Sequence, residues 1–481
     1  MSTLLGQLLV GGDFLGSACD PTSPKNVVKA PFGGAIVGVA VEGGWPEMEG
    51  CLEAASQAFE KWKRSSRSDR QTLLRRAAGL VRERSAELSE LLCLEVAKPI
   101  TWAKAEVGRL ALTFEYAADL VSTYGLESIP LDMDPRGEGY TCTVERFPIG
   151  PIFCMVPYNW PFNLAAHKIA PALATGNTLV LKTSPLAPLC TMELGRLLHE
   201  AGAPTGTVNV WNGPDSHVTK AVGDLRVKML SFTGSARVGW LLKGQLSEKK
   251  VLLELGGDAM VIVEPDASLE WAADRIVSGG YGYAGQVCIS VQHVLAHDSI
   301  YDRLLQLLIH KTETCPTGDP MDPKTVCGPL ISESAAEKVQ KMVDDAVSRG
   351  ARIVAGGGRT ANLMRPTLIE NVPADCDLAR EEVFGPVVTI SPYGKLDEAI
   401  ARVNRSQYGI QTGLFTNDLR SVRQAYEEIE TGGVIVNDYP TLRFDNMPYG
   451  GVKRSGFGRE GVRYAMDEMT EPKALVTKTL R

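Results

Sequence analysis

Apolar residues recur at helical spacing through the first quarter of the chain. Stretches 50–64 and 68–98 place them every three or four residues with charges between, and a third such stretch runs from about 102 to 121. This period is typical of helices with one face against a core. Residues 122–150 differ, because prolines and glycines there interrupt short β-like pieces. We therefore expect a helical region followed by an excursion from the main body.

Between residues 151 and 257 the pattern alternates regularly. Apolar, strand-like runs occur at 151–156, 178–182, 207–211, 228–232 and 251–254. Helical stretches lie between them at 162–174, 187–202, 216–223 and 235–246. Strands that alternate with helices predict βαβ units and a parallel sheet covered on both faces. Ligands of such sheets bind at the carboxyl ends of the strands, where Lys182, the turn at 232–235 and Glu254 fall.

A second α/β region follows residue 257. Its predicted elements are an apolar run at 259–263, helices near 299–314 and 332–349, strands at 387–391 and 411–415, and a strand-like finish at 473–477. The predicted fold class is therefore α/β, with a Rossmann-like parallel sheet and a second α/β domain.

Composition narrows the classes of function. The chain has 481 residues, a formal net charge of −7 and no Lys/Arg-rich run, so we expect no nucleic-acid partner. No apolar run is long enough for a membrane span, and the first fifteen residues lack the basic start of a secretory signal. The ten cysteines form no CxxC pair and no HExxH motif occurs, so we expect reduced thiols, a cytoplasmic protein and no metal.

One thiol and one carboxylate suggest covalent chemistry. Cys288 lies among small and apolar residues, and Glu254 ends an apolar strand-like run. A thiol can attack a carbonyl carbon, and a carboxylate can drive water onto the resulting thioester. By itself, Cys288 is more typical of a small buried hydrophobe than of a nucleophile.

Four further motifs each allow two interpretations. Asn159, in a stiff loop between two prolines, offers an amide for an oxyanion or caps the next helix. Lys182 holds cofactor hydroxyls or simply ends a strand in solvent. Gly234 and Ser235 open a helix that binds a phosphate or only caps itself. The stretch from Glu382 to Phe384 holds a ribose and a flat ring, or forms an exposed acidic turn.

Together these motifs resemble the aldehyde dehydrogenase superfamily over nearly the whole chain. The resemblance rests on their order and spacing: the loop 157–161, Lys182, Phe232-Thr233-Gly234-Ser235, Glu254-Leu255-Gly256-Gly257, Gly285-Gln286-Val287-Cys288 and Glu382-Val383-Phe384-Gly385-Pro386. It implies that Cys288 attacks an aldehyde, that Asn159 and the Cys288 backbone N–H hold the oxyanion, and that Glu254 activates water. It implies cofactor contacts from Trp160, Lys182, Ser184, Gly234, Ser235, Glu382 and Phe384.

The resemblance also implies a domain plan. The NAD(P)-binding domain would comprise residues 1–121 and 145–256, and the catalytic domain residues 257–446. A small β-arm from 122–144 and the C-terminal part, 447–481, would join subunits into a homodimer or homotetramer. Exposed strand edges in the arm favour such pairing. A cofactor-independent thiol esterase is the alternative from another class, and the five-strand region argues against it.

The substrate is less defined. The stretches around Cys288 and from Asp445 to Lys453 are most similar to a branch containing lactaldehyde, non-phosphorylating glyceraldehyde-3-phosphate, phosphonoacetaldehyde and sulfolactaldehyde dehydrogenases. Arg109 and Arg443 are candidate ligands for an anionic substrate, or they form salt bridges. Phosphate-using members carry an Arg directly before the nucleophile, where this chain has Val287. A small hydroxyaldehyde and a semialdehyde therefore both remain open.

The cofactor also remains open between NAD and NADP. NAD-preferring relatives often place a Glu three positions after the strand-end Lys, and this chain has Pro185 there. Without that carboxylate we expect NADP to be tolerated, and its preference over NAD is an open alternative.

Overall fold

The structure is a computed structural model that describes residues 4–16, 25–246 and 248–479. Within these ranges most strands belong to an eight-stranded or a seven-stranded sheet, with helices packed against both. The α/β fold predicted from the sequence is confirmed.

Five neighbouring strands of the eight-stranded sheet are parallel. In sheet order they are Lys250–Glu254, Met229–Thr233, Pro151–Met155, Thr178–Lys182 and Val208–Trp211. Nearly all of their residues are buried, as expected for parallel strands covered on both faces. The predicted strands agree with them to within one residue at each end.

Short antiparallel strands extend this sheet at both edges. Gly456–Phe457 pairs with Lys250–Glu254, and Leu8–Val10 pairs with Val208–Trp211 and with Asp13–Leu15. The sequence pattern did not predict them, because runs of two or three residues carry no periodicity. The C-terminal part thus contributes to this sheet as well as to the arm.

The long helical stretch predicted at 68–98 is wrong as a single element. It forms two helices, Arg67–Glu83 and Ser85–Val96, which meet at Arg84, where φ is −104° and ψ is 18°. No proline or glycine marks the break, so apolar spacing continues across it. The other helices around the first sheet are Trp45–Trp62, Ile100–Leu120, Asn163–Thr175, Pro188–Glu200, Val218–Gly223, Ala236–Gly244 and Val462–Glu468.

The seven-stranded sheet belongs to the second α/β region. Its order is Arg352–Ala355, Thr367–Glu370, Val387–Tyr393, His293–His297, Met260–Val263, Gln411–Phe415 and Gly433–Val436. All neighbours are parallel except the first pair. Its helices are Leu269–Tyr281, Tyr301–Glu313, Glu333–Ser348, Asp377–Arg380, Leu396–Arg405 and Leu419–Glu428.

The excursion predicted after residue 121 forms a small antiparallel sheet with the C-terminus. Tyr140–Pro148 lies between Leu126–Ile129 and Thr470–Lys478. Its surface carries exposed apolar side chains, among them Met133 (91% exposed) and Leu475 (68% exposed). Such a surface favours contact with another protein chain.

The remaining short strands are Leu4–Gly6, Lys25–Lys29, Ile36–Val41, Arg359–Thr360 and Leu363–Met364. Among the described residues, no helix is both long and apolar enough to span a membrane.

Candidate active site

The carboxyl ends of the five parallel strands lie along one edge of the first sheet. The register pairs Thr233 with Glu254 and Trp211 with Lys182, which places these strand ends side by side. This is the edge at which parallel α/β sheets bind their ligands. The sequence prediction that the strand ends assemble there is confirmed.

A cavity of about 350 Å³ opens near this edge. Its wall contains both candidate catalytic side chains, the candidate oxyanion donor and both candidate substrate arginines. These residues are Cys288, Glu254, Asn159, Arg109 and Arg443. Residues separated by up to 334 positions in the chain therefore meet around one small volume.

The backbone before the candidate nucleophile is strained. Tyr283 and Ala284 have φ of 53° and 54°, and Gly285 follows with φ of 67°. A β-carbon on Gly285 would lie 2.2 Å from the carbonyl oxygen of Gly385. Side-chain-bearing residues rarely adopt this left-handed conformation, and such strain is concentrated at functional sites. The turn delivers Cys288 to the cavity wall.

The Cys288 thiol is held by a phenol. Its Sγ lies 3.1 Å from the hydroxyl of Tyr449. Burial raises the pKa of the thiol to about 12, the negative charges of Glu382 and Glu254 add to this, and the Tyr449 hydrogen bond opposes it. The thiol therefore carries its proton at neutral pH in this state. Tyr449 was part of a motif noted in the sequence, but it was given no role.

Asn159 is oriented by the backbone of the same turn. Its Nδ2 donates to the carbonyl oxygen of Gln286 at 2.8 Å, which leaves the second amide hydrogen free. The Cys288 backbone N–H donates to no group in the described part of the chain. The alternative that Asn159 caps the next helix is wrong, since the side chain of Glu106 accepts from Phe162 N and Asn163 N instead.

Glu254 is a buried carboxyl group without a hydrogen bond. It is 3% exposed, and neither carboxylate oxygen has a partner in the described residues. Burial raises its pKa well above the usual range, and the negative charge of Glu460 raises it further. A buried acid with a raised pKa is suited to general-base work near neutral pH.

Glu460 is the ionised member of this carboxyl pair. Its Oε1 lies 2.9 Å from Lys168 Nζ, and its Oε2 lies 3.3 Å from Arg443 Nη2. Burial alone would raise the pKa of Glu460, but these two cations lower it below its ordinary value. Of the two carboxyl groups, Glu254 therefore has the higher proton affinity. Sequence reasoning missed Lys168 and Glu460, which are 292 residues apart and lie in no recognisable motif.

The two arginines lie in the cavity wall and also form ion pairs. Arg109 holds Asp445 through two nitrogens, with Nη2 at 2.6 Å and Nε at 3.0 Å. Asp445 also accepts from His167 at 2.8 Å, and these donors hold its pKa below the usual range despite burial. Arg443 lies over the ring of Tyr449 at 3.8 Å, and its buried Nε has no partner among the described residues.

Lys182 and Ser184 take different roles at the end of their strand. The Lys182 ammonium is buried and lies 2.7 Å from the carboxylate of Asp215. The Ser184 hydroxyl accepts from the backbone N–H of Leu186 at 3.3 Å, which fixes the turn after the strand. The structure thus shows an internal contact for each side chain.

Gly234 and Ser235 lie where a strand passes into a helix. The Ser235 hydroxyl accepts from Val238 N at 3.4 Å, so it caps the helix Ala236–Gly244. Ser235 is also exposed, and the helix N-terminus is open to an anion. The two interpretations from the sequence are therefore compatible.

Glu382, Phe384 and Trp160 surround the nucleophile region. Glu382 accepts from Gly257 N at 3.2 Å, and burial raises its pKa to about 7. Phe384 is held with φ of 54° and its ring against Tyr158. Trp160 lies in the wall of the cavity, where its ring covers the buried ammonium of Lys98 at 3.7 Å.

These residues fit a dinucleotide cofactor. An open helix N-terminus and a buried ammonium lie on the same sheet edge as the candidate base. A β-carbon on Gly256 would lie 2.3 Å from Glu382 Oε2, so only a glycine lets the Glu382 carboxylate lie this close to the backbone. Glycines that allow close approach of a ligand to the backbone are typical of such sites.

Comparison with known proteins shows the family to which the chain belongs. Residues 19–475 match the aldehyde dehydrogenase family. The chain is 42% identical over 409 residues to 3-sulfolactaldehyde dehydrogenase of Priestia aryabhattai, covering 85% of this chain and 86% of that protein.

Two solved structures are similar over almost the whole chain. Aldehyde dehydrogenase 21 from Physcomitrella patens, in complex with the reaction product succinate, is 35% identical with a TM-score of 0.96, and 99% of each chain is covered. NADP-dependent glyceraldehyde-3-phosphate dehydrogenase from Bacillus halodurans C-125, complexed with NADP, is 33% identical with a TM-score of 0.95. The match covers 99% of this chain and 100% of that one.

The chain belongs to the aldehyde dehydrogenase family. It is an NAD(P)-dependent oxidoreductase that acts on aldehydes, and its relatives fall in the branch expected from the sequence.

Proposed function

We propose that the protein oxidises a small anionic aldehyde to its carboxylic acid through a covalent thioester on Cys288. The observation that carries this proposal is the shared cavity, where a thiol, an unpartnered carboxyl group and two arginines line about 350 Å³. Such a volume suits a molecule of a few carbon atoms. The residues divide into a reacting set and an anion-binding set.

In the first step, Cys288 adds to the carbonyl carbon of the aldehyde. The S–H bond breaks and its proton passes to solvent water, a C–S bond forms, and the electron pair of the carbonyl π bond moves to the oxygen, which becomes an oxyanion. The second amide hydrogen of Asn159 and the backbone N–H of Cys288 have no acceptor within the described ranges, and both are suited to hold that oxygen. Donors aimed at a developing charge are among the largest contributions to catalysis.

A bound NAD(P) would supply the hydride acceptor for oxidation of the former aldehyde carbon. Lys182, Gly234 and Ser235 would hold its ribose and pyrophosphate from the sheet edge. Glu382 and Phe384 would hold its second ribose and nicotinamide near Cys288. Ser184 and Trp160 would make further contacts with the cofactor. The product of this step is a thioester on Cys288.

In the last step, Glu254 takes a proton from water as the water attacks the thioester. The C–S bond breaks, the acid leaves, and the Cys288 sulfur takes back the proton that Glu254 removed from water. Because its carboxylate oxygens have no hydrogen-bond partner among the described residues, Glu254 can accept the hydrogen of a water molecule. Lys168 and Arg443 keep Glu460 ionised beside it, which raises the proton affinity of Glu254.

Arg443 and Arg109 favour a substrate with a negative charge. Arg443 Nε is buried and has no hydrogen-bond partner in the described part of the chain, so it can donate to an anionic group at the cavity wall. Arg109 already donates to Asp445 through Nε and Nη2, so it would bind the substrate anion through Nη1. Buried charge-assisted hydrogen bonds of this kind are stronger than neutral ones. We favour a carboxylate or sulfonate over a phosphate, because Val287 replaces the arginine expected for phosphate.

The test is a comparison of aldehydes with and without a charge. Initial rates of NADH and NADPH formation would be measured with 3-sulfolactaldehyde, succinic semialdehyde, glyceraldehyde 3-phosphate and neutral lactaldehyde. Arg443→Lys and Arg109→Ala should lower kcat/KM for anionic aldehydes by about tenfold to a hundredfold, the worth of a charged hydrogen bond. The kcat/KM for lactaldehyde should fall much less, so the rate with lactaldehyde shows that each variant is folded.

Two results would contradict the proposal. Turnover that survives in Cys288→Ala would exclude the covalent mechanism. Equal losses for charged and neutral aldehydes in both arginine variants would mean that these arginines act only through Asp445 and Glu460. A lactaldehyde-like substrate would then be the better assignment.

We further propose that the arm sheet joins subunits into a homodimer or homotetramer. The exposed apolar side chains of the arm, including Leu126 and Val476, support this. Light scattering of the full chain and of a Leu475→Lys variant would test it, with a smaller species expected for the variant.

A further inference from the structure

A buried cation and an exposed carboxylate form an ion pair at the sheet edge. Lys182 Nζ lies 2.7 Å from Asp215 Oδ1, with side-chain exposures of 3% and 78%. Lys182 also donates to the carbonyl oxygen of Thr183 at 3.3 Å. The ammonium is thus held by the Thr183 carbonyl oxygen, and the exposed Asp215 carboxylate lies between it and solvent.

Lys182 ends one parallel strand, and Asp215 follows the end of the neighbouring one. Trp211 and Lys182 are in register at the ends of Val208–Trp211 and Thr178–Lys182. Asp215 follows four positions after Trp211, at the start of the short 3₁₀ helix Asp215–His217. It therefore stands at the carboxyl edge, beside the lysine that would hold the cofactor's adenosine ribose.

We propose that Asp215 determines cofactor specificity: it accepts a hydrogen bond from the 2′-hydroxyl of the adenosine ribose, to which Lys182 donates, and it disfavours a 2′-phosphate. This rests on the proposed function of Lys182 in cofactor binding. Both cofactors bind, and NAD binds more tightly. The carboxylate missing at Pro185 is thereby supplied by the segment that follows the neighbouring strand Val208–Trp211.

Charge explains the direction of the preference. A carboxylate accepts hydrogen bonds from a ribose hydroxyl but repels a phosphate, which carries a charge of about −1.5 to −2 at neutral pH. With Asp215 in place, the local pair sums to zero charge, and without it Lys182 offers an unpaired cation. Within the described residues, no other cation lies within ion-pair distance of Asp215. Because Asp215 is exposed, salt should weaken the discrimination.

The experiment measures cofactor binding directly, without aldehyde and without turnover. Dissociation constants for NAD and NADP would be obtained by titration calorimetry for the wild-type chain, Asp215→Ser and Asp215→Glu. Glu115→Gln is the matched control, because it also removes one surface carboxylate that forms an ion pair, here with Arg82. The constants would be compared at low and high salt.

The expected results are specific. The wild-type chain and Glu115→Gln should bind NAD about tenfold more tightly than NADP, and Asp215→Ser should shift this ratio at least about tenfold toward NADP. Asp215→Glu should keep most of the preference. An unchanged ratio in Asp215→Ser would overturn the inference while leaving the proposed function intact. Failure of both cofactors to bind the wild-type chain would overturn the proposed function, and the inference with it.

Discussion

The thiol of Cys288 and the phenol of Tyr449 are joined by a 3.1 Å contact across 161 residues of sequence. Tyr449 also stacks under the guanidinium of Arg443, which in turn holds Glu460. The nucleophile is therefore linked to the group that sets the proton affinity of Glu254. One phenol connects the acylating half of the site to the hydrolytic half.

Loss of this phenol should slow the attack by the thiol. The Tyr449 hydrogen bond lowers the pKa of Cys288, so Tyr449→Phe should raise that pKa further while keeping the ring under Arg443. Alkylation by iodoacetamide at fixed pH should slow by about twofold to tenfold, the net worth of one hydrogen bond. Tyr301→Phe, which removes a distant contact with Glu370, is the control. An unchanged alkylation profile would show that the phenol does not stabilise the thiolate.

Replacement of Glu254 should separate the two halves of the reaction. Glu254→Gln should still reduce one equivalent of cofactor per site, because acylation uses Cys288 and Asn159. Steady-state turnover should fall by about a hundredfold to ten-thousandfold, the usual worth of a general base. Stopped-flow absorbance would show the burst, and mass spectrometry would show the acyl group on Cys288. Undiminished steady-state turnover would mean that another group activates the water.

The same carboxyl group should make stability depend on pH. Its folded pKa is raised, so the stability that it contributes as a neutral acid is fully present below its unfolded pKa of about 4.3. That contribution is lost as the pH rises through the folded pKa. Between pH 4.5 and 8, the free energy of unfolding of wild type should therefore fall relative to Glu254→Gln by about 1 kcal/mol or more. Urea denaturation of both proteins across this range would test it, and parallel curves would contradict it.

The sequence could predict those parts of the fold that are fixed by local pattern. The five parallel strands were located to within one residue, because buried runs such as Leu179–Leu181 are apolar throughout and end abruptly. The break at Arg84 was missed, since both flanking helices keep the same spacing. In the site, Cys288 and Glu254 lie in recognisable motifs.

The supporting residues of the site could not be predicted in the same way. Lys168 and Glu460 are charged residues of the kind usually found at the surface. They are buried together because helix Asn163–Thr175 packs against helix Val462–Glu468. The pairing of Arg109 with Asp445 spans 336 residues. Asp215 follows no motif at all, and its significance comes from strand register.

Gly450 should prove essential for placing Glu254. It has φ of 153°, and a β-carbon there would lie 2.7 Å from Glu254 Oε1 and 3.0 Å from the carbonyl oxygen of Gly458. Gly450→Ala should therefore displace the carboxyl group and cost about 1–3 kcal/mol of stability through backbone strain. Steady-state turnover should fall at least about tenfold while the burst of cofactor reduction persists. Gly79→Ala is the control, because that helical glycine has open space around it and alanine should stabilise the helix by about 0.5–1 kcal/mol. If Gly450→Ala lost the burst and the turnover equally, the displaced group would be the nucleophile rather than the base, and the assignment of Gly450 to the hydrolytic half would be wrong.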